Sequence, residues 1–182
     1  MVSLKREIAQ ERPFSSIEEE ALLNLMRTSD CLQRAFQKMS RTWGVTGTQY
    51  NVLRILRGAQ PHGLTCSAIG DRMITAEPDI TRLLGRLKTM KLIRQQRDKH
   101  DRRVVWTQIS LAGLDLLHQM DPVVQQLPKD LLGHMPKPEV EELIRLLELA
   151  RARSNGVPAD GAPVVLSCTG NREGERCETG ET

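Results

Sequence analysis

Residues 82–103 hold nine basic side chains, Arg82, Arg86, Lys88, Lys91, Arg94, Arg97, Lys99, Arg102 and Arg103, against two acids, Asp98 and Asp101. Nine minus two gives a local charge of +7 in a chain of net +3, so the remainder sums to −4. A cationic segment on a near-neutral chain suits a polyanionic partner. A solvated basic helix face gives the same count with no partner at all, so residue type and spacing must decide. Ile80, Leu83, Leu84 and Leu87 fit the i, i+3, i+4, i+7 pattern of a buried helix stripe. The opposite face then presents Pro78, Thr81, Arg82, Gly85, Arg86 and Thr89. Such a face fits the major groove of duplex DNA, where arginine forks onto guanine and hydroxyls bond bases or phosphates. Thr75, in the preceding turn, is close enough to join them. Glu77 and Asp79 oppose phosphate and are read as capping and dipole-compensating residues.

A second cluster follows. Lys99, His100, Asp101, Arg102 and Arg103 form a charged turn between two short strand candidates, residues 92–97 and 104–109. Arginines on such a hairpin tip suit a narrow, electronegative minor groove. Asp101 is placed to orient one guanidinium by a bidentate pair. A salt-bridged, solvated hairpin is the competing reading, and it would add almost nothing to stability.

The elements that position these clusters are mostly helical. Ser16 with Glu19, and Thr46 with Gln49, offer capping boxes for helices over residues 16–42 and 48–56. In the first, Ile17, Ala21, Leu25, Leu32, Ala35, Phe36 and Met39 form one apolar stripe, while Leu22, Leu23 and Met26 make a second apolar face. Thr65 caps a short helix to Met73 that turns Ile69 inward. Pro78 opens the next helix at its first position. Ser110 caps a helix over residues 111–126, and Pro138 starts another through Arg153 whose apolar residues spread well beyond one stripe. The fold expected is mainly α with a small β-hairpin wing. Residues 1–15 form an arm, 46–109 a winged helix-turn-helix, 16–45 and 110–153 a helical dimerisation region, and 154–182 a disordered tail rich in Gly, Pro and Glu.

Composition excludes other classes. Residues 1–14 lack the apolar core of a secretory signal, and no apolar run approaches a membrane span, so a cytoplasmic, non-membrane protein is expected. The four cysteines, Cys31, Cys66, Cys168 and Cys177, are too sparse for a disulfide framework. His62, His100, His118 and His134 are scattered without ligand spacing, so neither metal nor cofactor is expected. No nucleophile–base arrangement or phosphate-cradling glycine loop points to an enzyme. Trp43, Tyr50 and His118 are candidate linings of an effector pocket between the first, second and fifth helices, with core packing the alternative.

The run from Gly63 to Gly113 resembles the MarR (multiple antibiotic resistance regulator) winged-helix family. The matching pieces are Thr46-Gly47-Thr48-Gln49-Tyr50-Asn51-Val52-Leu53, Asp79-Ile80-Thr81-Arg82-Leu83-Leu84, Asp101-Arg102-Arg103 and Ile109-Ser110-Leu111-Ala112-Gly113. Ser110 in place of threonine and Gly85 in place of an acid depart from that pattern. The resemblance implies a homodimeric repressor on double-stranded DNA, with Arg82 and its neighbours in the major groove and Arg103, held by Asp101, in the minor groove. It also implies release by a small aromatic or phenolic effector, or by thiol oxidation. The family's peroxide-sensing cysteine would fall near Leu22, two turns from Cys31. A winged helix used only for protein contacts is the alternative function.

Overall fold

Short polar side chains set most of the helix starts. The computed structural model describes residues 2–154. Its order is α1 (Leu4–Glu7), α2 (Ile17–Arg41), α3 (Gly47–Gly58), α4 (Cys66–Gly70), α5 (Ile80–Thr89), β1 (Ile93–Arg97), β2 (Val105–Ile109), α6 (Leu111–Leu132) and α7 (Lys137–Ser154). Thr46 and Gln49 close a full capping box on α3: Thr46 Oγ1 accepts the Gln49 N–H at 3.2 Å, and Gln49 Oε1 accepts the Thr46 N–H at 2.9 Å. Ser16 and Glu19 complete only half of theirs. Ser16 Oγ accepts the Glu19 N–H at 3.1 Å, but the Glu19 carboxylate takes the N–H and hydroxyl of Ser15 instead, both at 2.6 Å.

Two boundaries differ from expectation for identifiable reasons. Pro78 does not open α5; Asp79 occupies the N-cap and accepts the Arg82 N–H at 2.9 Å, so the helix begins at Ile80. The helix expected to stop near Gln126 runs on to Leu132 through Pro122 and Pro128. Each proline removes one donor and crowds the preceding turn, yet Leu117 and Met120 are fully buried and Leu114, Leu116 and Val124 pack against the core. The short α1 has no counterpart in the expected elements, α4 stops three residues before Met73, and Ser154, assigned to the tail, is the last residue of α7.

The chain divides into two units, Met1–Leu131 and Leu132–Thr182. In the first, Val52, Leu53, Leu56, Ile69, Leu84, Leu87, Leu117 and Met120 form a core drawn from α3, α4, α5 and α6. The Arg57–Asp121 ion pair, 2.7 Å and half-buried, ties α3 to α6, and the Asp121 hydrogen bond holds the Arg57 pKa above its usual value. The second unit contains α7, braced on its surface by Lys137–Glu141 at 3.5 Å and by a bidentate Arg145–Glu142 pair at 2.8 and 2.7 Å. No helix among the described residues is long and apolar enough to cross a membrane.

The apolar stripe of α2 is only partly buried. Leu32, Ala35, Phe36 and Met39 are half-buried, whereas Ile17, Ala21, Leu25, Leu22 and Met26 stand exposed. Exposed apolar residues recur on α7 at Ile144, Leu146 and Leu149.

Candidate nucleic-acid interface

The amphipathic spacing of α5 resolves as expected. Leu83, Leu84 and Leu87 are buried and Ile80 is half-buried, which turns Thr81, Arg82, Gly85, Arg86 and Thr89 outward. Thr89 Oγ1 donates to the Gly85 carbonyl at 3.1 Å, which occupies its proton and leaves its lone pairs outward. A Cβ built on Gly85 would meet nothing within 4 Å, so packing inside the chain does not require glycine there. Thr75 is exposed in the turn ahead of α5.

A tightly built joint leads from α5 into the hairpin. The Leu92 N–H donates to the Leu87 carbonyl at 3.0 Å and the Lys91 N–H to Lys88 at 2.9 Å, the paired bonds of a Schellman motif. Lys91 holds the left-handed position of that motif at φ 61°, where glycine is the usual residue. Its carbonyl accepts the Ser110 hydroxyl at 2.7 Å, and the same Ser110 Oγ accepts the Gly113 N–H at 3.1 Å, starting α6. A Cβ on Gly113 would collide with the Leu92 carbonyl and with Ile109, so this glycine is sterically required.

β1 and β2 pair antiparallel, from Ile93 opposite Ile109 to Arg97 opposite Val105. Thr107, almost wholly buried, also bridges to Leu64 through mutual N–H···O bonds of 2.9 and 2.8 Å. The root of the hairpin is therefore fastened on both sides, and its tip extends beyond it. That tip is organised by Asp98, whose role sequence reasoning missed. Asp98 Oδ1 accepts the N–H groups of His100 and Asp101 at 2.8 and 3.1 Å, while Oδ2 accepts the Trp106 indole N–H at 2.9 Å. Those bonds, the indole's first, hold the Asp98 carboxyl below its usual pKa. Asp101 has a different role from the one expected. It accepts the backbone N–H of Arg103 at 2.9 Å rather than pairing with a guanidinium, so it shapes the turn and leaves the side chain free.

Lys99, His100, Asp101, Arg102 and Arg103 are all exposed on this tip. Among the described residues none of the nine basic side chains of residues 82–103 is in an ion pair. Four arginines elsewhere pair with acids, Arg27 with Glu7, Arg34 with Asp30, Arg57 with Asp121 and Arg145 with Glu142, while others, such as Arg41, Arg54 and Arg72, are also in no ion pair among the described residues.

The three residues proposed to line an effector pocket are placed unequally. Tyr50 is core, its ring 5.3 Å from that of Phe36, and burial pushes its phenol pKa up. Trp43 packs half-buried against that core, and His118 is exposed. Cys31 is exposed on α2, and Cys66 is half-buried with its Sγ 3.9 Å from Thr81 Oγ1. Cys168 and Cys177 lie outside the described residues.

A helix-turn-helix continued by an antiparallel hairpin, with an exposed basic helix face and a basic tip, defines the winged helix class of transcription factors. Comparison with known proteins gives the family. A model of the MarR family matches residues 43–104. A MarR transcription factor from Planctomyces limnophilus, known from a crystal structure, is 39 % identical, with 75 % of this chain and 99 % of that one covered at a TM-score of 0.59. The HTH-type transcriptional regulator MhqR of Bacillus subtilis is 28 % identical over 107 residues, 58 % of this chain and 71 % of its own. BpsR of Bordetella bronchiseptica, whose DNA binding is regulated by 6-hydroxynicotinic acid, shares the fold at 23 % identity and a TM-score of 0.65, over 73 % of this chain and 99 % of its own. The chain belongs to the MarR family of transcriptional regulators.

Proposed function

We propose that this protein is a cytoplasmic, sequence-specific repressor that binds a near-palindromic operator as a homodimer. The exposed face of α5 (Thr81, Arg82, Arg86 and Thr89, with Thr75 ahead of it) enters the major groove, and the wing (Lys99, His100, Asp101, Arg102, Arg103) reaches the minor groove. The observation that carries this reading is the run of exposed basic side chains along α5 and the wing that have no acidic partner among the described residues. Cations with no acidic partner among the described residues are available to phosphates. Residues 16–45 and 110–153 supply the dimer contact, supported by the exposed apolar side chains on α2 and α7. Two-fold symmetry then places the half-sites about one helical turn apart.

A small aromatic or phenolic molecule releases the DNA, with Trp43, Tyr50 and His118 near its site; the regulation of BpsR by 6-hydroxynicotinic acid supports a ligand of that size. A thiol-gated version has one observation in its favour, the Cys66 sulfur beside Thr81 on the DNA-facing helix. Peroxide that releases DNA from the wild type but not from Cys66→Ser would establish it.

The test of the main reading is competition. The protein's preferred duplex, selected from a randomised pool, should hold it against a large excess of random duplex. Arg82→Ala should lose that preference by roughly 1–3 kcal/mol. Equal weakening on every sequence would make Arg82 a phosphate clamp, and absence of a preferred duplex would favour a protein-contact module.

A further inference from the structure

The segment that delivers α5 to DNA has one feature that charge does not explain. Ile74 is 85 % exposed, the highest value among the exposed large hydrophobic residues of the described chain. Exposed apolar residues occurring singly are ordinary. Ile74 differs in where it stands and how it is held. It lies in the turn between α4 and α5, next to Thr75, and its backbone N–H donates to the Asn51 side-chain oxygen of α3 at 3.0 Å. That bond fixes the turn to the core helix, so the isoleucine is presented at a set position. In a helix-turn-helix the N-terminal residues of the second helix meet the base edges. The turn that carries Ile74 leads directly into those residues. The hydroxyls and guanidinium groups of Thr81, Arg82 and Arg86 recognise donors, acceptors and phosphates. The one apolar feature of the major groove, the thymine methyl, is read by apolar groups, and Ile74 is the largest apolar side chain beside this face, the alternatives being the methyls of Thr75 and Thr81.

Resting on the DNA-binding reading above, we infer that Ile74 is a specificity-determining residue that reads a thymine methyl in each half-site, with Asn51 positioning it. The contact needs no charge, so it adds sequence preference without adding salt dependence. A β-branched side chain suits the task, because its restricted χ1 loses little freedom on docking.

The test uses full-length protein and a duplex it selects from a randomised pool. Each thymine of one half-site is replaced in turn by deoxyuridine, which lacks only the 5-methyl group. The wild type should lose about fourfold in affinity at one such position, the effect of one buried methyl. Ile74→Ala should bind the thymine duplex several-fold more weakly and be indifferent to uracil at that position, while staying sensitive to changes that Arg82 reads. Ile74→Val, which keeps the branched shape, should recover most of the discrimination. Methyl sensitivity that survives unchanged in Ile74→Ala overturns the inference, as does equal weakening on every sequence, which would mean a sugar–phosphate contact. Failure to select any duplex overturns the DNA-binding reading and this inference together, whereas a selected duplex without methyl coupling overturns this inference alone.

Discussion

α5 with its wing and the long helix α2 are incomplete in opposite ways. Along α5 the apolar residues are satisfied: Leu83, Leu84 and Leu87 are buried, and the charged residues on the other face have no acidic partner among the described residues. On α2 two arginines are paired, Arg27 with Glu7 and Arg34 with Asp30, while Ile17, Leu22, Leu25 and Met26 lie exposed. One region lacks an anion and the other an apolar surface. The difference assigns two kinds of partner, DNA for the first and a second copy of the chain for the second. Screening should act on the former and leave the latter nearly untouched, because apolar burial does not weaken with salt as Coulomb attraction does.

The largest expected effect tests the apolar side. Leu22→Glu combined with Met26→Glu removes two side chains from the proposed dimer surface. At roughly 1.5–3 kcal/mol for each large apolar side chain buried, the dimer dissociation constant should rise at least about a hundredfold. Sedimentation would show monomer, with helix content retained because both residues are exposed in the single chain. An unchanged dimer would remove α2 from the interface.

Arg103→Ala comes next. It should lower DNA affinity by roughly 1–3 kcal/mol and leave the dimer intact, measured by titrating labelled duplex and by sedimentation of the same sample. Lys91→Gly then separates stability from binding at a single residue. The left-handed backbone at Lys91 costs a non-glycine residue about 1 kcal/mol, so the variant should unfold at higher temperature. It should also bind DNA slightly less well at low salt, having one cation fewer. A fall in stability would contradict the assigned backbone strain.

The smallest effect concerns the wing tip. Asp98 has its folded-state pKa depressed below 3.8 by the Trp106 indole and two backbone N–H groups. A depressed carboxylate contributes order that is complete above its unfolded pKa and is lost as pH falls through the lower folded value. Trp106 fluorescence should therefore change only in acid, below about pH 4, and that change should vanish in Asp98→Asn. A transition near neutral pH would reassign the group responsible.

Much of this molecule is readable one short stretch at a time. The caps at Thr46, Thr65 and Ser110 sit within three residues of the N–H groups they satisfy, and the α5 stripe is a local pattern; both are legible in the sequence. What depends on pairing across distance is not. The Trp106 indole reaches Asp98 only through the hairpin register, whereas the His100 and Asp101 N–H groups that Asp98 also accepts lie within three residues of it. Residue type suggests a guanidinium partner for Asp101, while turn geometry offers the Arg103 N–H first. α6 continues past Pro122, where Val124 packs against the core, and on past Pro128, against local propensity. The apolar stripe of α2 is plain as a pattern; that its N-terminal half is exposed, while Leu32, Ala35, Phe36 and Met39 are half-buried, is not.

The central claim is that the exposed cations of α5 and the wing neutralise phosphates, and the salt dependence of DNA binding tests it most directly. Plotting log affinity for the selected duplex against log salt should give a steep negative slope, about −0.9 per phosphate neutralised, and each phosphate-binding cation removed should flatten it by about one. Arg102→Ala together with Arg103→Ala should therefore flatten the wild-type line measurably while the dimer persists. A slope near zero, or one unchanged by removing both arginines, would contradict the account.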